Sequence, residues 1–458
     1  MSERSIAIVG AGPAGIYAAD ILSKSGLEVS IDLYEKLPAP YGLVRYGVAP
    51  DHPRIKQIIT ALFNILQRGD IRLIGNVDIG VDVTVEELRE HYDAVIFSTG
   101  ADKDAPLNIP GVDLPEVHGA ADFVYWYDGH PDRARTWPLE AQEIAVLGVG
   151  NVALDVARIL AKHPDDLMRT ELPKNVEEGL RKSPVTDVHV FGRRGPAQVK
   201  FSPLELRELG HVRDVDVIVY EEDFDFDEGS EAAIASSNHV KQVVKTLVDW
   251  TMKEPEDFTA SRRIHLHFLH SPHEIIGEDG HVTAIRTERT ELTGDGTVRG
   301  TGEFVDTPVQ AVYRAIGYFS SNIPGVPFDE VRGVIPNIEG RVVGDDGAPI
   351  PGMFATGWVK RGPVGLIGST KSDAQQTIGH LVEDAMIGII GDTAPGGDSM
   401  IAELEERGVR YTTWHGWELL DAYERELGEP LGRERLKVVE RETMTAVSRN
   451  EPHDGKLY

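Results

Sequence analysis

Two short strings hold the residues whose types and spacing first point to chemistry. Gly10, Gly12 and Gly15 stand in GAGPAG, directly after the apolar run Ile6–Val9. Gly148, Gly150 and Ala153 stand in GVGNVA, directly after Ile144–Leu147. In such a pattern the first glycine permits a tight turn. The second lets backbone amides approach a pyrophosphate, and a small third residue lets a helix lie close on its strand. A second strand follows each triplet, and the two second strands end differently. VSIDLYE ends in Glu35, 20 residues past Gly15, where a ribose hydroxyl would be met. VTDVHVFGRRG ends in Arg193 and Arg194. Two guanidiniums can grip a 2′-phosphate through paired charge-assisted hydrogen bonds, whereas a carboxylate repels one. Two different dinucleotides are therefore expected, FAD at the first site and NADPH at the second.

These residues need strands and helices to hold them. Strand, glycine turn, helix and strand, met twice, predict an α/β chain with two Rossmann-like dinucleotide-binding domains. The second fingerprint lies between the first and a late run, GMFATGWVKRG. The NADP domain is therefore expected as an insertion at 106–318. The FAD domain would comprise 1–105 and 319–458, ending in a helical tail with no recognisable chemistry. LNIPG and RAIGYFSSNIPG, rich in Gly and Pro, suit the crossovers. Residues 162–184 read as an insertion between helix and second strand. YDAVIFSTGAD and GMFATGWVKRG are apolar strands that each end in Thr-Gly, where chain must leave a sheet close to a cofactor. The loop PVGLIGSTKS then enters a helix, whose N-terminus favours negative charge. Gly365, Leu366 and Ile367 are expected to offer backbone amides to the flavin's pyrimidine edge.

Composition narrows the field. The 458 residues suit two or three domains, and the formal charge of −29 argues against nucleic acid and anionic lipid as partners. There is no cysteine, which excludes a thiolate-held iron–sulfur cluster, a disulfide framework and a CxxC redox pair. A pyridine nucleotide-disulfide reductase, which shares both fingerprints, loses its central chemistry by that absence. Electrons, if moved, must pass through an organic cofactor to something outside the chain. No metal centre is expected. Met1–Arg4 leads straight into a strand and no run suits a membrane span, so a cytoplasmic location and no membrane insertion are expected.

The strings GAGPAG, GLVRYGVAPDHP, GNVALDVARIL, FGRRGPAQ, LELREL and GWVKRGPVGLIG, in that order over nearly the whole chain, resemble the adrenodoxin reductase family of ferredoxin–NADP reductases, its actinobacterial members included. The resemblance implies non-covalent FAD, NADPH as donor, and a ferredoxin or similar small iron–sulfur protein as acceptor. The flavin would convert a two-electron donor into single-electron delivery. Carried over position by position, FAD contacts fall on Ala14, Glu35, Leu43, Ile79, Trp358 and Gly365–Ile367. NADP contacts fall on Val149, Gly150, Asn151, Val152, Arg193, Arg194, Glu205 and Gly365. Val149 departs from the family, which usually has an amide side chain there.

His52 falls at an N-cap with Pro53 at the first helical position, followed by Ile55, Ile58, Ile59, Leu62, Phe63 and Leu66 at helical spacing. The resemblance places His52 near the junction of flavin and nicotinamide, associates Asp155 with it, and puts Glu208 near the nicotinamide. Glu205 also closes an S-x-x-E capping box with Ser202, so it is read equally as a cap. For an acidic carrier, Arg207 matches a docking arginine, and Lys200, Arg193, Arg194, Lys241 and Lys245 can join the same face. Asn238 and Gln242 stand where the family is more basic. The other functions weighed are a flavin subunit of a larger oxidoreductase complex and a nucleotide-binding redox sensor. A monomer is expected.

Overall fold

The computed structural model describes residues 3–364 and 367–458. The chain forms two compact units, one comprising Met1–Lys103, Asp128–Asp132 and Tyr318–Tyr458, the other Asp104–Tyr127 and Arg133–Gly317. Among the described residues no helix is long and apolar enough to cross a membrane.

The first unit is built on a seven-stranded sheet. Its five parallel strands run in the order Pro349–Ala355, Ala94–Phe97, Arg4–Val9, Val29–Glu35, Arg72–Gly75. Arg341–Val343 and Asn337–Ile338 add an antiparallel edge. Every residue of Arg4–Val9 is buried. Ile6 and Ile8 enter one apolar layer with Leu33 and Ile96, while Ala7 and Val9 enter the opposite layer with Tyr34, Val95 and Phe97. A parallel strand covered on both faces needs such an unbroken apolar run. Helices Pro13–Ser23 and Ile367–Met386 pack on each other. The tail forms helices Gly397–Glu406, Trp414–Gly428 and Arg441–Ser448. It inserts Trp417, Leu420, Val438 and Met444 into one layer, and Met400 and Leu404 into the other.

The helix expected after His52 comes in two pieces, Pro53–Lys56 and Ile58–Leu66, joined through Gln57. Its buried side is Leu62, Ile65 and Leu66, so Ile65 replaces the expected Phe63.

The second unit has six parallel strands, ordered Val117–Gly119, Ala311–Arg314, Glu143–Leu147, Asp187–Phe191, Arg262–His267, Val215–Val219. An antiparallel sheet of His270–Glu278, His281–Leu292 and Val298–Pro308 lies beside it. Ile275, Val282 and Ile285 of that sheet share a core with Ala145, Leu147 and Phe191. Residues 162–184 are packed rather than looped out: Leu167, Leu172, Val176 and Leu180 are all buried.

Candidate functional site

In the first unit Gly10 has φ +108°, and a Cβ there would lie 2.8 Å from the Ser98 carbonyl oxygen. A Cβ on Gly15 would sit 2.0 Å from the Gly10 carbonyl oxygen, so this position fixes how closely helix Pro13–Ser23 approaches its strand. Gly12 differs: the nearest atom to its absent side chain is Gly42 Cα at 3.9 Å. That gap is the cradle a pyrophosphate needs.

Glu35 closes the strand beside this loop. Its carboxylate accepts hydrogen bonds from the amides of Ala11 (2.9 Å) and Leu37 (3.1 Å). Burial pushes its pKa up to about 7, against those backbone bonds, which favour the charged form. The carboxylate keeps acceptor capacity for a ribose hydroxyl.

Two further segments meet the glycine loop. The Tyr41 amide donates to the Ala11 carbonyl (2.8 Å), Tyr41 and Gly42 both have positive φ, and the short helix Leu43–Tyr46 follows. From the other side comes Thr356-Gly357-Trp358. Asp373 accepts from the Thr356 hydroxyl (3.0 Å) and the Gly357 amide (2.6 Å), and pairs with Lys360 (3.0 Å). Gly357 is pressed against Ala14, and Trp358 is half-buried at the head of the next helical turn. The structure thus gathers Gly10, Gly12, Ala14, Gly15, Glu35, Leu43 and Trp358 around one loop. Ile79 is buried in the apolar cluster that also holds Val77 and Val83. Gly365 and Leu366 lie outside the described residues, and Ile367 opens a 20-residue helix. His52 is 5% exposed at the head of Pro53–Lys56, where its side chain makes no cap.

In the second unit Gly148 has φ +133°, and a Cβ there would lie 2.2 Å from the Ala315 carbonyl oxygen. Gly150 faces open space. The Val149 carbonyl accepts from the Lys200 amide (3.0 Å), and Asn151 Oδ1 accepts from the Ser202 amide (2.9 Å). These bonds draw the 200–202 turn onto the second fingerprint, with Val152 half-buried in the helix beside it. Val149 packs against Gly192.

Arg193 and Arg194 leave the strand end with their backbone fixed: the Thr290 hydroxyl donates to Arg193 O (2.7 Å) and the Leu269 amide to Arg194 O (3.2 Å). Neither guanidinium has an ion pair or side-chain hydrogen bond among the described residues. In a chain with 75 acidic and 46 basic residues, two adjacent arginines without a carboxylate are conspicuous anion receptors.

Ser202 caps helix Pro203–Leu209 by accepting from the Glu205 amide (3.1 Å), but the reciprocal half of the capping box is not made. The buried Glu205 carboxylate lies 3.7 Å from Arg158 instead, and Asp155 pairs with the same guanidinium at 2.7 Å. Glu205 is therefore not spent as a cap, which corrects that half of the sequence reading. Glu208 is half-buried on the same helix. Lys200, Arg207 and Lys241 are exposed, whereas Lys245 is already paired with Asp249 (2.6 Å).

A feature the sequence reading missed lies on the six-stranded sheet and the first strand of the antiparallel sheet beside it. His189 and His265 are cross-strand partners whose rings stack at 4.3 Å, and His267 stacks with Phe191 (4.6 Å) and Tyr220 (4.7 Å). His265 bonds Asp187 (2.9 Å) and Tyr220 (2.8 Å), while His270 bonds Thr287 (2.8 Å). Burial holds all four imidazoles below their ordinary pKa, His189 and His270 at about 4. The alternation IHLHFLH was the available signal.

Residues 4–189 match the family model described as pyridine nucleotide-disulphide oxidoreductase. Over 453 residues the chain is 41% identical to NADPH-ferredoxin reductase FprA of Mycobacterium tuberculosis, covering 94% of this chain and 96% of that one. It is 37% identical to the mitochondrial NADPH:adrenodoxin oxidoreductase of Arabidopsis thaliana, covering 97% and 95%. A solved structure of the M. tuberculosis FprA in complex with NADPH superposes with a TM-score of 0.90 at 39% identity, over 98% of this chain and 100% of that one.

Proposed function

Because the chain belongs to the family of NADPH:adrenodoxin oxidoreductases and NADPH-ferredoxin reductases, we infer that it is itself an NADPH-dependent flavoprotein reductase that delivers electrons to a ferredoxin-type iron–sulfur protein. One observation carries this most directly. Two glycine cradles of the same design end in opposite chemistry, the Glu35 carboxylate at one and the free Arg193/Arg194 pair at the other.

The residues fit both cofactors. Gly12 leaves room for the FAD pyrophosphate, Glu35 would meet the ribose, and Leu43 and Trp358 flank the cradle. Gly150 leaves room for the NADPH pyrophosphate, with Val149, Asn151 and Val152 around it and Arg193 and Arg194 holding the 2′-phosphate. When bound, the pair supplies the conversion of a hydride donor into single-electron delivery. The chain supplies orientation: Asp373 holds the Gly357 turn, Tyr41 ties Gly42 to the glycine loop, and Asn151 ties the 202 turn to the second fingerprint.

His52, Asp155 and Glu208 are the proposed catalytic set, with Glu205 beside the nucleotide. Within the second unit Arg158 fixes the Asp155 carboxylate. Arg207, with Lys200, Arg193, Arg194 and Lys241, would form the docking face for an acidic carrier, against a chain charge of −29. The same reading takes the protein as a monomer that works in the cytoplasm, although relatives of this family include mitochondrial ones.

Anaerobic titration with NADPH and with NADH, followed by the flavin's visible absorbance, tests the assignment. NADPH should bleach the band at far lower concentration. Equal bleaching by both would overturn the roles given to Arg193 and Arg194, and a preparation that binds no flavin would overturn the whole reading.

A further inference from the structure

The C-terminal tail carries a group of buried charges that the proposed reaction does not use. Arg45, 3% exposed, pairs with Glu424 at 2.5 Å, and Glu424 is 0% exposed. Glu424 Oε1 also accepts from the Val438 amide (3.0 Å), and Arg435 lies 3.6 Å from its other oxygen. Lys437, 1% exposed, donates to the carbonyl oxygens of Arg45 (2.7 Å) and Asp128 (3.1 Å). Asp128 stands between two ammonium groups, Lys56 and Lys437, each at 3.6 Å. Arg45 also covers the Trp417 ring at 5.1 Å.

What these charges hold is a turn that cannot hold itself. Leu43–Tyr46 is four residues long and has no side-chain cap. A helix this short has no independent stability. It follows two residues of positive φ, Tyr41 (+86°) and Gly42 (+50°), the first of them unfavourable for a side chain bearing a Cβ. Its front end faces the glycine cradle: a Cβ on Gly42 would fall 3.1 Å from Gly12 Cα. Its back end ends on the Arg45 carbonyl, which Lys437 takes up. Removing charges from water is costly, and well-packed apolar residues would serve stability as well. Ion pairs and hydrogen bonds differ in being directional, and direction is what a turn beside a cofactor needs.

We propose that Glu424, with Lys437, is a positioning residue for the flavin: from the tail it holds Arg45 and so sets the Leu43–Tyr46 turn against the Gly10–Gly12 cradle. The proposal rests on the reading of this unit as the flavin unit. It assigns the helical tail a part in cofactor binding.

The test compares the full-length protein with an Arg45→Met/Glu424→Leu variant, which removes the tether without leaving an orphan buried charge, and with Glu424→Gln. Thermal melts establish folding. The readouts are the FAD dissociation constant of the apoprotein, from flavin fluorescence, and the shape of the bound flavin's visible band. The swap variant should fold but melt below the parent, because the buried Val438 amide loses its acceptor. It should bind FAD about tenfold more weakly or worse and show an altered band, with Glu424→Gln between the two. A folded swap variant with FAD affinity within about twofold of the parent and an unchanged band would overturn the proposal, leaving the network a purely structural one. Should the swap variant not fold, Lys437→Met, which leaves Asp128 paired with Lys56, is judged by the same two criteria. A parent that itself fails to bind FAD would refute the flavin reading instead.

Discussion

Gly357 stands against Ala14 so closely that a Cβ on the glycine would lie 2.7 Å from the alanine's own. Through this contact the turn after the late strand Pro349–Ala355 meets the first helical turn after the glycine cradle, although more than half the chain separates them in sequence. Gly357→Ala is doubly unfavourable, since φ is +74° there and the space is taken. The variant should lose roughly 1–3 kcal/mol of stability and purify with much less flavin. Thermal melts and the ratio of visible to ultraviolet absorbance would show both effects.

Arg193→Ala/Arg194→Ala removes the two free guanidiniums of the second unit. With about 1.5–3 kcal/mol for each charge-assisted hydrogen bond, NADPH affinity should fall by roughly 10²–10⁴-fold. NADH, which has no 2′-phosphate, should be little affected. Steady-state KM values for the two nucleotides give the answer, and a parallel loss for both would mean that the pair serves the fold.

Glu35 predicts a pH dependence of flavin binding. Its pKa is pushed up to about 7, so below that value the apoprotein carries a neutral acid where a ribose hydroxyl needs an acceptor. FAD affinity should rise with pH by up to about tenfold per unit until pH 7 and then level off. In Glu35→Gln the curve should be flat and the affinity low throughout. Fluorescence titrations between pH 5 and about pH 8 separate the two.

The histidine stack predicts acid lability. Burial depresses all four pKa values, so below pH 6.5 the unfolded chain takes up protons that the folded chain refuses. Stability is lost as pH falls from about 6.5 towards 4, at up to about 1.4 kcal/mol per unit for each such ring before any discount for partial exposure. His189→Phe/His267→Phe should lessen the difference in denaturant midpoint between pH 7 and pH 5. The carboxylates of both proteins contribute alike, so the comparison isolates the stack.

What could be read from residues alone was what neighbours in sequence decide. Gly10, Gly15 and Gly148 are dictated by turns and close contacts within a few residues or one adjacent strand, and their spacing announced them. Glu205 was half legible: Ser202 caps its amide as the motif demands, but its carboxylate goes to Arg158, a partner that only the folded unit supplies. The antiparallel sheet went unread, although Asp279 and Gly280, both of positive φ, mark its first hairpin turn. The tail reads as chemically blank in sequence because Glu424 meets Arg45 across a separation of 379 residues, which no local pattern encodes.

The interleaving of the first unit has a consequence for how the protein is made. A ribosome releases Ala94–Phe97 early, but the strand that covers its open side, Pro349–Ala355, comes some 250 residues later. Meanwhile all six parallel strands of the other unit have emerged by Arg314. The middle of the polypeptide can therefore finish first, while the nascent N-terminal segment waits with a bare edge open to wrong pairing. Newborn chains are most vulnerable to aggregation during that interval, and a chaperone acting on them would find its substrate there.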